Sequence, residues 1–331
     1  MPSLSTRVAV SAAFHRSLQR ASRLFGGRYG QHPPTLHAPE TRTVSVGKVE
    51  IQTLTWAGSP PTIVVLHGLN NNAWSWARVA SQLAPERQVV SVCQRGHGGS
   101  TAPAAGYSLQ DTTNDVLGVL DAFSLDAVDM VGHSWGGKVA THFAATHPDR
   151  VGSLALADPA LPKGLNGIIR TIPALTTASL RAERGPFPNR QAWETAGRSV
   201  NYLQRWDDLD QKLWADGFFE ADDGSYHHVL PESGFQEILS NALTQDIEPL
   251  LTQIAGPVLL MRPTFTLSFL PGEVRSMRRK LPQMLERRIA GDHTFIHTNP
   301  LDTTDVLRSF LRMEPDRTKS HKTARSQPSP R

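Results

Sequence analysis

Short, largely apolar runs recur along the middle of this chain: Ile63–Leu66, Val89–Cys93, Val128–Val131, Leu154–Ala157 and Val258–Met261. Runs of this length and character read as strands covered on both faces, the kind found inside parallel sheets. Helical periodicity separates most of them, at Trp76–Leu83, Asp111–Phe123, Lys138–His147, Val274–Leu281 and Thr303–Leu311. Strand and helix in alternation at this spacing imply an α/β fold with a mostly parallel sheet and helices on both faces. Thr43–Val46 and Lys48–Thr55 flank Gly47 and predict an antiparallel hairpin ahead of the series, and Glu286–Ile289 is a weaker last strand. The alternation breaks once, from about Leu161 to Leu251, where the chain reads as helical, polar and aromatic without a strand pattern. An insertion of that size after the strand ending at Asp158 is expected to form a helical cap over the carboxyl edge of the sheet. The organisation predicted is an extension over 1–39, a core over 40–160 and 252–312, a cap over 161–251 and a basic tail over 313–331.

Charge is distributed against the total. The net charge is +4 over 331 residues, yet residues 1–39 carry five arginines and no acid, and residues 312–331 carry six basic residues against two acidic ones. The body between them is therefore mildly acidic, which argues against a nucleic-acid partner. Val10, Phe14, Leu18, Ala21 and Phe25 share one helical face near the N-terminus, with Arg16, Arg20 and Arg23 opposite. That pattern is similar to a mitochondrial presequence, which is the alternative to the expected reading, a plain disordered extension of a cytoplasmic protein. No stretch approaches the roughly 20 apolar residues of a transmembrane segment. The single cysteine, Cys93, forbids internal disulfides and a cysteine-based zinc cluster.

The sharpest chemical signal is Gly132-His133-Ser134-Trp135-Gly136, set directly between a predicted buried strand and a helix. In that context G-x-S-x-G is a nucleophile elbow, whose tight turn lifts the serine hydroxyl off the sheet. His67-Gly68-Leu69 follows the strand Ile63–Leu66. An acyl-transfer site needs two N–H donors on the developing oxyanion, here the amides of Leu69 and Trp135. A third motif, Arg95-Gly96-His97-Gly98-Gly99-Ser100, follows Val89–Cys93.

With these three motifs in order, residues 43–311 resemble the α/β-hydrolase superfamily, in its cap-bearing serine hydrolase (esterase- or lipase-like) branch. The resemblance implies an α/β-hydrolase sheet and no cofactor or metal. It also implies a Ser134 nucleophile and a late histidine base, for which His293 in Gly291-Asp292-His293-Thr294 is the choice over His297. Relatives carry an acidic residue two positions before the arginine of the third motif, where this chain has Cys93. They also place the triad acid after the strand corresponding to Val258–Met261, where this chain has Ser268 and no acid before Glu273. Asp158, at the end of the preceding strand, is the best substitute, since neighbouring strands lie only about 4.8 Å apart. Glu220, Asp222, Asp223 and Glu232 are outside candidates.

The function expected is hydrolysis of a carboxylic ester, including a lactone or thioester, through an acyl-enzyme on Ser134. Carbon–carbon bond hydrolysis at the same site is one alternative, and a non-catalytic ligand-binding protein on this scaffold is another. His133, Trp206 and Phe218 are the expected substrate contacts, and His227 and His228 could line the cavity. The substrate expected is small and hydrophobic.

Overall fold

The computed structural model describes residues 28–160, 180–200, 203, 205–266, 268 and 272–312. The amphipathic segment ahead of residue 28 and the basic tail from residue 313 lie outside the described residues. The chain opens with β1 (Glu40–Val46) and β2 (Val49–Trp56), then β3 (Ile63–Leu66), α1 (Ala77–Leu83), β4 (Val89–Val92), α2 (Leu109–Ala122), β5 (Val128–His133), α3 (Trp135–Thr146) and β6 (Val151–Ala157). In the insertion are α4 (Arg190–Ser199), α5 (Asp208–Ala215), β7 (Phe218–Glu220), β8 (Tyr226–His228) and α6 (Glu232–Thr244). The core resumes with β9 (Val258–Pro263), α7 (Glu273–Lys280), β10 (Met284–Ile289), α8 (Phe295–Thr298) and α9 (Pro300–Leu311).

Eight strands form one sheet in the order β1-β2-β4-β3-β5-β6-β9-β10. β2 runs antiparallel to both β1 and β4, and the six strands from β4 to β10 are parallel. All four residues of β3 and all four of β4 are buried, which explains why these strands read as apolar runs broken only by Ser91. One sheet face packs Val64, Leu66, Val90, Met130, Leu154 and Leu156 against α2 and α3. The alternate residues Val65, Val131, Ala155 and Leu259 face the other core, with α1, α9 and part of the insertion. α2 starts on a capping box in which the Ser108 hydroxyl accepts from the Asp111 amide and the Asp111 carboxylate accepts from the Ser108 amide.

From β3 the chain moves to β4 on one side, then returns to β5 on the other. The carboxyl ends of β3 and β5 therefore lie side by side, with Leu66 paired to Gly132. Such a reversal of strand order opens a crevice at the sheet edge, the usual ligand position in α/β sheets.

The insertion differs from the helical reading in one respect: β7 and β8 form an antiparallel hairpin, with Phe219 opposite His227. Its strands are three residues each, too short for alternation to show, and the Asp223-Gly224 turn, with Gly224 at φ 79°, was the available signal. Residues 28–39, assigned from the sequence to the extension, run along the body. Arg28 Nε donates to Asp302 at 2.7 Å, the His37 amide donates to Ser81 Oγ at 2.6 Å, and the Trp56 indole donates to the His37 carbonyl at 2.7 Å.

Candidate active site

Ser134 sits between β5 and α3 at φ 52° and ψ −117°, a conformation that costs a non-glycine residue energy and persists only when its surroundings impose it. The imposition is steric. A Cβ on Gly132 would lie 2.3 Å from the Gly136 carbonyl oxygen, and one on Gly136 would lie 2.5 Å from the carbonyl oxygens of Leu66 and His67. Glycine at both positions lets β5, α3 and the end of β3 close on the turn. The Ser134 amide donates to the Ala157 carbonyl at 3.1 Å, which ties the elbow to β6. Ser134 remains partly exposed while Trp135 beneath it is buried.

The residue after β6 is Asp158, at φ 42°, its amide bonded to the Met261 carbonyl at 2.9 Å. Its carboxylate Oδ2 accepts from His293 Nδ1 at 2.6 Å and from the Ser268 hydroxyl at 3.0 Å, and Oδ1 accepts from the Thr266 hydroxyl at 2.7 Å. The carboxylate is sealed from solvent, whereas the His293 side chain is 45% exposed, so the ring can meet a substrate and the acid cannot. Since Asp158 occupies Nδ1, the proton-accepting atom left to His293 is Nε2. Loss of solvent around the ring works to lower the His293 pKa, but the hydrogen bond and charge of Asp158, with the charge of Asp292, raise it above its ordinary value. Among the described residues no hydrogen bond joins the Ser134 hydroxyl to the His293 ring.

His133 is buried, and its Nε2–H donates to the His293 main-chain carbonyl at 2.8 Å. Burial pushes its pKa well below the ordinary value, so it stays neutral. It supports the loop that carries His293. His297 is likewise buried, and burial takes its pKa down to about 3. The Asp292 carboxylate is engaged by the Thr294 amide and hydroxyl at 2.9 and 2.6 Å. Glu220 accepts from the Tyr226 hydroxyl, Asp223 from Ser225 and Glu232 from Gln236, all exposed on the insertion.

The two expected oxyanion donors come from neighbouring elements. The Trp135 amide is the first of α3, where no intrahelical acceptor exists. The Leu69 amide lies in a turn closed by the Asn71 amide on the Gly68 carbonyl at 3.2 Å, and a Cβ on Gly68 would lie 3.1 Å from Ser134 Cβ. His67 anchors that turn from below. Its Nε2 accepts from the Gln94 amide at 3.0 Å, so Nδ1 carries the hydrogen and donates to the Gly68 carbonyl at 2.8 Å. Cys93, at the position where an acid is usual, donates its thiol to the His97 carbonyl at 3.0 Å, and burial pushes its pKa up to about 12. It braces the loop as a neutral thiol. Arg95 grips Asp115 with two hydrogen bonds, fixing the same loop to α2.

The insertion is fastened to the chain just after the Leu69 turn. Asn70 Nδ2 donates to the Leu180 carbonyl at 2.9 Å and Arg184 donates to Asn70 Oδ1 at 3.2 Å. Asn72 bonds the Leu213 carbonyl at 2.9 Å, Trp74 Nε1 bonds Asp216 at 2.6 Å, and Arg78 bonds Asp207 and Asp210. Between insertion and turn lies a narrow cleft, partly open to solvent, whose wall includes Asn70, Asn71, Glu183, Trp214, Phe218 and His228. Phe218 is thus in the wall. Trp206 is outside it, packed on Gly197 and under the Arg198 guanidinium, and His227 stacks on Phe219 at the surface. Among the described residues no group of three or more His, Cys, Asp or Glu could hold a metal ion, and no helix is long and apolar enough to cross a membrane.

A family profile for the alpha/beta hydrolase fold matches residues 61–300. The chain belongs to the alpha/beta hydrolase fold family. Within that family it is similar to a fluoroacetate dehalogenase from a Burkholderia species, with 39% identity over 124 residues, 36% of this chain and 40% of the relative. Epoxide hydrolase A of Mycobacterium tuberculosis is 36% identical over 132 residues, 38% of this chain and 41% of its own length. These matches span about two fifths of each relative. A 2-(acetamidomethylene)succinate hydrolase of Mesorhizobium japonicum is 24% identical over 276 residues, 82% of this chain and 95% of the relative. Among solved structures, an E-2-(acetamidomethylene)succinate hydrolase superposes with a TM-score of 0.70 at 22% identity, covering 83% of this chain and 99% of the other. A thioesterase domain from the curacin biosynthetic pathway gives 0.66 at 21% identity, over 83% and 100%.

Two features at the site were not read from the sequence as functional. Thr266 and Ser268 both donate to Asp158, and Glu183 stands in the cavity wall. Ser268 had a signal, since it occupies the place where the family's acid is usual. Glu183 had none.

Proposed function

We propose that this protein is a serine hydrolase of carboxylic esters, working through an acyl-enzyme. The observation that carries the reading is the combination of a partly exposed serine in an imposed positive-φ turn with a histidine whose Nδ1 is bound by a sealed carboxylate. Ser134 Oγ attacks the ester carbonyl while His293 Nε2 takes its proton, which requires the two to approach within about 3 Å in the reacting complex. The amides of Leu69 and Trp135 receive the developing oxyanion. His293 then hands the proton to the departing alkoxide. Water, deprotonated by the same nitrogen, releases the acid. Asp158 keeps Nδ1 protonated and offsets the charge of the imidazolium.

A hydroxyl nucleophile separates this chemistry from that named for the dehalogenase and epoxide hydrolase relatives. Attack by a serine on saturated carbon would leave an ether, which water does not cleave under these conditions. Attack on a carbonyl leaves an ester, which water does cleave. Apolar residues in the cavity wall, Leu203, Leu213, Trp214 and Phe218, favour a small hydrophobic group. The reading is tested with p-nitrophenyl esters of graded chain length, plus one lactone and one thioester. Turnover in the wild type and its loss in Ser134→Ala is the expected result; equal rates in the two proteins would overturn it.

A further inference from the structure

Five described residues other than glycine have a positive φ, and three of them are Ser134, Asp158 and, at 63°, Asn70. The first two are the proposed nucleophile and acid. Asn70 takes no part in the steps above, yet it directly follows Leu69, whose amide is a proposed oxyanion donor. Gly68 to Asn71 form a tight turn, closed by the Asn71 amide on the Gly68 carbonyl at 3.2 Å. Asn70 is its third residue, and a positive φ there is the mark of a type II turn, which glycine or asparagine accepts. Asparagine still prefers a negative φ, so the conformation has to be held by contacts outside the turn.

The insertion makes those contacts. Asn70 Nδ2 donates to the Leu180 carbonyl at 2.9 Å, and Oδ1 accepts from Arg184 at 3.2 Å. Arg184 is itself fixed: it is 7% exposed, donates to the Leu230 carbonyl at 2.6 Å and lies over the Phe235 ring at 4.3 Å. The Glu232 carboxylate is 3.9 Å away and exposed, so the close partners of this buried cation are neutral oxygens that it cannot give up cheaply. On its other side the turn is pressed to the elbow, since a Cβ on Gly68 would lie 3.1 Å from Ser134 Cβ. Oxyanion donors act only within about 2.7–3.1 Å of the oxygen, so a small rotation of the turn is enough to lose one.

We infer that Asn70 is a positioning residue: gripped by Leu180 and Arg184, it sets the turn that aims the Leu69 amide, and so makes the seating of the insertion a condition of catalysis. The inference rests on the ester-hydrolase reading, because the oxyanion belongs to that chemistry.

A cycle of variants in the full-length protein tests it with a p-nitrophenyl ester. Glycine takes a positive φ freely, so Asn70→Gly leaves the turn accessible and removes both grips. It should lower kcat about tenfold with KM within about twofold, less than the roughly 10²–10³ lost with a whole oxyanion donor. Arg184→Met should lower kcat by a similar factor. The double variant should fall no more than about threefold below the less active single one, because both act through one contact. Affinity for an alkylboronic acid, which forms a tetrahedral anion on Ser134, should weaken in step with kcat/KM; a role in packing alone would not single out this ligand. Wild-type kcat in Asn70→Gly, or additive losses near a hundredfold in the double variant, overturns the inference. If Arg184→Met does not fold, Asn70→Gly and its boronate affinity decide. If wild type turns over no ester, the hydrolase reading fails and hydrogen exchange decides the grip: a peptide covering residues 180–188 should exchange faster in Asn70→Gly than in wild type, and equal exchange overturns it.

Discussion

The Ser268 hydroxyl lies 3.0 Å from Asp158 Oδ2, the same carboxylate oxygen that His293 Nδ1 reaches at 2.6 Å. On the family resemblance Ser268 stands where a triad acid is expected, and its hydroxyl touches the carboxylate proposed here for that role. If Asp158 holds the histidine, Asp158→Asn should lower kcat by about 10⁴. Adding Ser268→Asp to that variant should recover at least tenfold of the loss, because a carboxylate at residue 268 starts beside the same imidazole nitrogen. Steady-state kinetics of both variants check this. Turnover of Asp158→Asn within a few-fold of wild type would remove Asp158 from the triad.

The pH profile follows from the same pair. Asp158 and Asp292 raise the His293 pKa above its ordinary 6.5, and the ring must be neutral to accept the serine proton. The acid limb of kcat/KM should accordingly have its midpoint above pH 6.5. In Asp158→Asn the loss of solvent around the ring is no longer opposed by that carboxylate, so the limb should move to lower pH as the rate falls. A limb that stays in place would show that another group sets it.

How the insertion is anchored gives a stability prediction. Arg78 and Asp210 are almost fully buried and bonded at 2.8 Å, with Asp207 on the other guanidinium nitrogen. Arg78→Met leaves Asp210 buried without its cation and should cost about 3 kcal/mol, read from denaturant midpoints. Adding Asp210→Asn should recover part of that cost, whereas simple loss of packing would not be recovered.

Much of this arrangement is written in the sequence. The strands Ile63–Leu66 and Val258–Met261 carry their burial as apolar runs, and the Gly132-His133-Ser134-Trp135-Gly136 turn shows its crowding through its glycines. The hairpin at Phe218–His228 was not legible because three-residue strands leave no periodicity to read. Contacts made across the sheet edge leave no local pattern either: Ser268 on Asp158 joins residues 110 apart in the chain. His133 is the opposite case. Its place in the elbow suggested a pocket wall, and the buried side chain also holds the His293 carbonyl.

The most direct measurement is covalent labelling of the full-length protein with a fluorophosphonate, followed by peptide mass spectrometry. The account predicts one phosphonylated residue, Ser134, with labelling abolished in Ser134→Ala and strongly slowed in His293→Ala. An unlabelled Ser134 in folded wild-type protein, or a label carried by another residue, would contradict it.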